Sequence, residues 1–125
     1  MWEKKKDIEE VRAFLGKGAE FIGKLIFNGD VRIDGDFQGE VHGQGSLVVG
    51  EGAVVKANIA VNSVFISGNV QGNIDVKEKI NIRATGKFYG DVSTPVFVME
   101  EGALFEGTSH MADLKGVDNK VVEAV

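Results

Sequence analysis

One short pattern constrains this chain more than any other feature: a bulky apolar residue, a spacer, a glycine or alanine, a spacer, and in most copies a second apolar residue. It occurs as Phe37-Gln38-Gly39-Glu40-Val41, Val55-Lys56-Ala57-Asn58-Ile59, Val70-Gln71-Gly72-Asn73-Ile74, Phe88-Tyr89-Gly90-Asp91-Val92 and Phe105-Glu106-Gly107-Thr108-Ser109. The central small residues lie 18, 15, 18 and 17 positions apart. A period of that size, with the same motif in the same orientation each time, belongs to a stacked-coil architecture in which equivalent residues sit one above another. An antiparallel meander also makes short, evenly spaced strands, but its neighbours reverse direction and give no reason for the motif to recur in one sense.

Between the copies lies a second strand-like element, at Leu47-Val48-Val49, Val64-Phe65-Ile66, Ile80-Asn81-Ile82 and Phe97-Val98-Met99. Turn residues such as Gly50-Glu51-Gly52, Ser67-Gly68-Asn69 and Ala84-Thr85-Gly86 separate the segments, and Glu-Gly-Ala recurs at 51–53 and 101–103. A coil of 15 to 18 residues holds about three short strands with their corners. The expected fold is therefore all-β: a parallel β-helix, or triangular β-solenoid, of about five to six rungs with short non-β termini. Phe37, Gly39, Val41 and their equivalents point inward in this reading, the central residue being small because opposing walls of a narrow tube approach there. Two outward columns, Gln38, Lys56, Gln71, Tyr89, Glu106 and Glu40, Asn58, Asn73, Asp91, Thr108, share no single chemistry and read as solvated surface.

Three parts follow. In residues 1–20 the alternation is absent, and Ile8, Val11, Phe14 and Leu15 fall on one face if Asp7 to Leu15 is a short amphipathic helix ended by Gly16 and Gly18. Residues 21–111 form the β-helical domain. Residues 112–125 drop the motif and read as a frayed tail, with Val117, Val121 and Val122 able to dock as a short helix or strand.

Composition removes several classes of function. The net charge of −5 and pI near 5.0 do not suit a nucleic-acid surface, which needs concentrated Lys and Arg. Without cysteine there is no thiolate metal site or disulfide, which fits a cytoplasmic setting. No apolar run reaches the length of about 18 residues that a spanning helix needs, so any membrane contact is expected to be peripheral. Neither a cofactor nor a metal site is read: Asp30, Asp34 and Asp36 do not recur with a calcium-loop period, and no glycine precedes the Lys-Ser or Lys-Thr of a phosphate loop. The one enzymatic alternative is a left-handed β-helix acyltransferase with His42 as general base. Its strict six-residue units conflict with the 15-residue interval between Ala57 and Gly72. The chain is read as a non-enzyme with no catalytic residues.

The two ends of such a coil expose unpaired backbone and an apolar cross-section. Phe97, Met99, Leu104 and Phe105 fall in the last rung, and Phe21, Leu25 and Phe27 in the first. Burying such side chains yields roughly 1.5–3 kcal/mol each, enough for a few to offset the roughly 4–15 kcal/mol cost of association. The expected partner is therefore a second copy of the chain. Like-to-like contact at both ends would give an open filament without polarity.

The run Ile26-Phe27-Asn28-Gly29-Asp30-Val31, then Gly35-Asp36-Phe37-Gln38-Gly39-Glu40-Val41 and the later Gly-Asn-Val and Gly-Asp-Val copies resemble the bactofilins, bacterial polymer-forming cytoskeletal proteins. The resemblance covers roughly Phe21 to Met111. It implies a right-handed coil, nucleotide-free polymerisation through the ends, a scaffolding role in cell shape or in organising other factors, and frequent attachment to the inner face of the cytoplasmic membrane. The family's anchor is a bulky apolar residue followed by basic ones, which Met1, Trp2, Lys4, Lys5 and Lys6 match; alternatively Trp2, Ile8, Val11 and Phe14 fold back over the first rung.

Overall fold

The computed structural model describes residues 11–112 and 119–122. Among these residues nine strands make one sheet: β1 (Val11–Leu15), β2 (Glu20–Ile33), β3 (Asp36–Val49), β4 (Val54–Ile66), β5 (Asn69–Ile82), β6 (Lys87–Ser93), β7 (Phe97–Met99), β8 (Leu104–Ala112) and β9 (Asn119–Val122). Every pairing is parallel except the last, in which β9 runs antiparallel to β8. The result is a β-solenoid of about six turns, with no helix among the described residues.

Val11–Leu15, expected as the end of a helix, is instead a strand paired with Gly29–Ile33. Five residues with apolar side chains at helical spacing fit either structure, and an available sheet edge satisfies their backbone groups better than a helix too short to nucleate. The coil thus begins before Phe21. Phe21-Ile22-Gly23-Lys24-Leu25 is a sixth, earlier copy of the motif, in register with Phe37 to Val41. The tail also joins the sheet, with Val121 and Val122 in β9.

The uneven period has a simple origin. Successive coils are joined either by two residues, as at Asp34-Gly35 and Ser67-Gly68, or by four, as at Gly16–Ala19, Gly50–Ala53, Arg83–Gly86 and Glu100–Ala103. Each four-residue connection closes a β-turn, such as the Ala53 N–H donating to the Gly50 carbonyl at 3.1 Å. Strand β4 is one residue shorter than β3 and β5, and the register slips beside it, between His42 and Ser46 and between Val61 and Ser63. Fourteen strand residues with a long or a short turn, or thirteen with a short one, reproduce the intervals of 18, 16 and 15.

Inside, equivalent residues stack in columns. Phe21, Phe37, Val55, Val70, Phe88 and Phe105 make one; Leu15, Ile33, Val49, Ile66, Ile82 and Met99 make another. The middle coils are fully enclosed, as with Val55, Val64, Val70 and Ile80. Their burial is the main source of stability, at about 25 cal/mol per Å² of apolar surface. Aromatic pairs sit towards each end: Phe21 stacks on Phe37 at 5.1 Å and Phe88 on Phe105 at 5.5 Å.

The small central residue of the motif does not line the tube. Gly39 is exposed within β3 with φ 133°, and a Cβ there would collide with the carbonyl oxygen of Gly23 in the coil beneath. Glycine is thus required by backbone conformation and by the closeness of the neighbouring rung, rather than by crowding across the interior. Alanine occurs once in the column, at Ala57, which is buried between Gly39 and Gly72.

Candidate assembly surfaces at the two ends of the coil

The N-terminal end is formed by β1 and β2. β1 covers only the last third of β2, so Glu20 to Asn28 have no strand partner on their outer edge among the described residues. Phe21 and Leu25 are half-buried there, while Ile22 and Ile26 are 74% and 69% exposed on the outer wall. Phe27 behaves differently. It is buried, and its ring lies over Gly43, where a Cβ would come within 2.5 Å of it. The sequence places all three apolar residues at the same surface; the structure leaves Phe21 and Leu25 there and turns Phe27 inward. Ile22 and Ile26 were legible only through register, as apolar members of columns that are otherwise mainly polar.

The C-terminal end is formed by β7, β8 and β9. Phe97, Met99 and Leu104 are half-buried, whereas Phe105 is fully enclosed, stacked on Phe88 and met edge-on by Phe97 at 5.3 Å. The chain is irregular just below, where Thr94-Pro95-Val96 interrupts the coil between β6 and β7. Buried Thr94 ties this break together: its N–H donates to the His110 carbonyl at 2.9 Å and its hydroxyl to the Val96 carbonyl at 2.8 Å. Above, the outer edge of Leu104 to Thr108 has no partner among the described residues, while Ser109 to Ala112 are covered by β9.

The sides of the coil place the histidine weighed as a general base. His42 is partly exposed in an outward column with Ile26, Ala60, Asp75, Ser93 and His110, and its Nε2 lies 3.0 Å from Glu40 Oε1. An imidazole paired with a carboxylate on an open wall is an ordinary surface contact. Among the described residues no group of three or more His, Cys, Asp or Glu is placed to hold a metal. The third side has one outward column of a different character: Phe14, Arg32, Val48, Phe65, Asn81 and Val98. Phe14 and Val98 are exposed, and Lys79 and Arg83 lie over the Phe65 ring at 5.5 and 5.6 Å. Arg32 bonds Asp34 at 2.9 Å, a contact that raises the guanidinium pKa. Met1, Trp2, Lys4, Lys5 and Lys6 lie outside the described residues, and among those described no helix is long and apolar enough to cross a membrane.

Residues 13–110 match the family model for bactofilins, described as polymer-forming cytoskeletal. The chain belongs to the bactofilin family. It is similar to bactofilin BacP of Myxococcus xanthus, with 34% identity over 81% of this chain and 42% of that one, so it spans less than half of that relative's length. Bactofilin BacO of the same organism is 31% identical over 81% of this chain and 79% of its own. Bactofilin double helical filaments from Thermus thermophilus provide a structural counterpart, with a TM-score of 0.71 and 30% identity, covering 78% of this chain and 98% of that one. The solenoid expected from the repeat is therefore the bactofilin fold, and the family is a structural, filament-forming one.

Proposed function

We propose that this bactofilin is a cytoskeletal scaffold that joins end to end, N-terminus to N-terminus and C-terminus to C-terminus, into filaments without polarity and without nucleotide. The observation that supports this most directly is the form of the ends: a parallel solenoid whose terminal coils offer half-buried Phe21, Leu25, Phe97, Met99 and Leu104 beside strand edges that have no partner among the described residues. Such edges template further strands. If filaments of this chain associate further, as the double helical filaments of the Thermus relative suggest, the contact would fall on the outward column in which Phe14 and Val98 are exposed. The scaffold would lie at the inner face of the cytoplasmic membrane, held by Trp2 and Lys4 to Lys6 and strengthened by the many copies in a filament, and would organise cell-shape or other factors.

Negative-stain microscopy of purified protein in nucleotide-free buffer should show filaments; a uniformly monomeric preparation would reject the proposal. For the membrane contact, anionic liposomes should pellet the full chain and leave a chain lacking residues 1–6 in the supernatant. Equal pelleting would remove Trp2 and the lysines from the account.

A further inference from the structure

We infer that β9 is a displaceable cap on the docking edge of the last coil, seated where a second copy of this chain would pair. The inference rests on the end-to-end assembly proposed above. β9 takes the backbone groups of Ser109 to Ala112 on the outer edge of β8, and a strand edge pairs with one partner at a time. The direction of β9 is informative. Among the described residues every other pairing is parallel, and β9 alone is antiparallel. A half-turn about an axis perpendicular to the coil, the symmetry of a contact between two like ends, reverses every strand it brings across the junction. The facing rung of a second copy therefore arrives antiparallel to β8, as β9 does. The chain's own tail thus has the hydrogen-bonding polarity of the partner.

Two observations show that the end is closed and that the closure is imperfect. Phe105 is 0% exposed although it belongs to the last full coil, so the chain encloses its own terminal aromatic. Ser109 continues an inward column of Leu25, Val41, Ile59, Ile74 and Val92, and it is the only polar member. It is 1% exposed, and its Oγ finds no hydrogen-bond partner among the described residues. A buried hydroxyl without a partner costs stability in the capped end seen here, and a second copy in place of β9 would offer it a different neighbour.

The chain has no cysteine, so a pair placed on the two strands reads the cap cleanly. His110 and Val121 are directly opposed, and antiparallel partners lie about 4.5–5.5 Å apart at Cα, within the span of a disulfide. The full chain carrying His110→Cys and Val121→Cys should, when oxidised, assemble at least tenfold more slowly by light scattering than when reduced, and microscopy should show at most pairs joined through their N-terminal ends. Equal filament growth in the oxidised and reduced states would overturn the cap. Ser109→Val, which copies Val92, should raise the critical concentration for assembly; an unchanged or lower value would count against the role given to the hydroxyl. A chain ending at Ala112 separates the two readings. If it assembles at a lower critical concentration than the full chain, both stand; if the two assemble alike, the cap fails and the filament stands; if neither assembles, both fail.

Discussion

The two ends of this solenoid are closed in opposite ways. At the N-terminal end β1 lies parallel on Gly29 to Ile33 and, among the described residues, covers only that part of β2, leaving Phe21 and Leu25 half-buried and Ile22 and Ile26 exposed. At the C-terminal end the chain reverses, and the last aromatic of the core is completely enclosed. The same motif therefore has different surroundings in its first and last copies: Phe21 has described chain on one side only, and Phe105 has none of its surface free. A strand edge such as Glu20 to Asn28, without a partner among the described residues, can accept another strand directly, whereas an end that has turned back on itself must first be opened.

The largest test of this contrast is truncation of the two aromatics. Phe105→Ala should cost about 3–5 kcal/mol in urea unfolding at concentrations below assembly, and Phe21→Ala only about half as much, because part of its ring already faces water. Equal losses would show that the ends are enclosed alike. A second pair tests the backbone. Gly107→Ala drives a methyl into the Gly90 carbonyl and should cost about 2–3 kcal/mol, while at Gly23 the nearest atom to a Cβ is a Phe21 ring carbon at 3.5 Å, leaving only the positive-φ strain of about 1 kcal/mol. Melting temperatures that fall equally would place an unseen coil beneath Gly23. Smallest in stability is Ile22→Lys, expected to change unfolding by less than about 0.5 kcal/mol. Its effect should appear in assembly instead, as shorter filaments in microscopy; unaltered lengths would take Ile22 out of the N-terminal contact.

The repeat was legible because it reports stacking, a relation between residues that copy one another in sequence. Phe37, Val55, Val70, Phe88 and Phe105 align from the motif alone, and they form one column. Less visible was why their neighbour must be small. Alternation suggests that Gly39 points inward, and nothing local reveals the positive φ that aims its missing Cβ along the axis at Gly23. β1 was hidden for a related reason: Val11, Phe14 and Leu15 satisfy a helical face, and only the distant edge at Gly29 to Ile33 decides the matter. β9 depends still more on context, since Asn119–Val122 carries no motif and owes its place to an edge left by β8. At the ends, the apolar residues were readable by type, but their exposure was not, because Phe27 and Phe105 are covered by contacts that do not repeat along the chain.

The turns between coils have a consequence for handling the protein. One corner accepts two residues in some coils and four in others while the paired ladder on either side continues in register. Length at that corner is therefore a free variable of the fold. A peptide tag or fluorophore-labelling loop inserted between exposed Glu51 and Gly52 would project from mid-coil, remote from both ends. Growth at either end could then be followed with a label that belongs to neither.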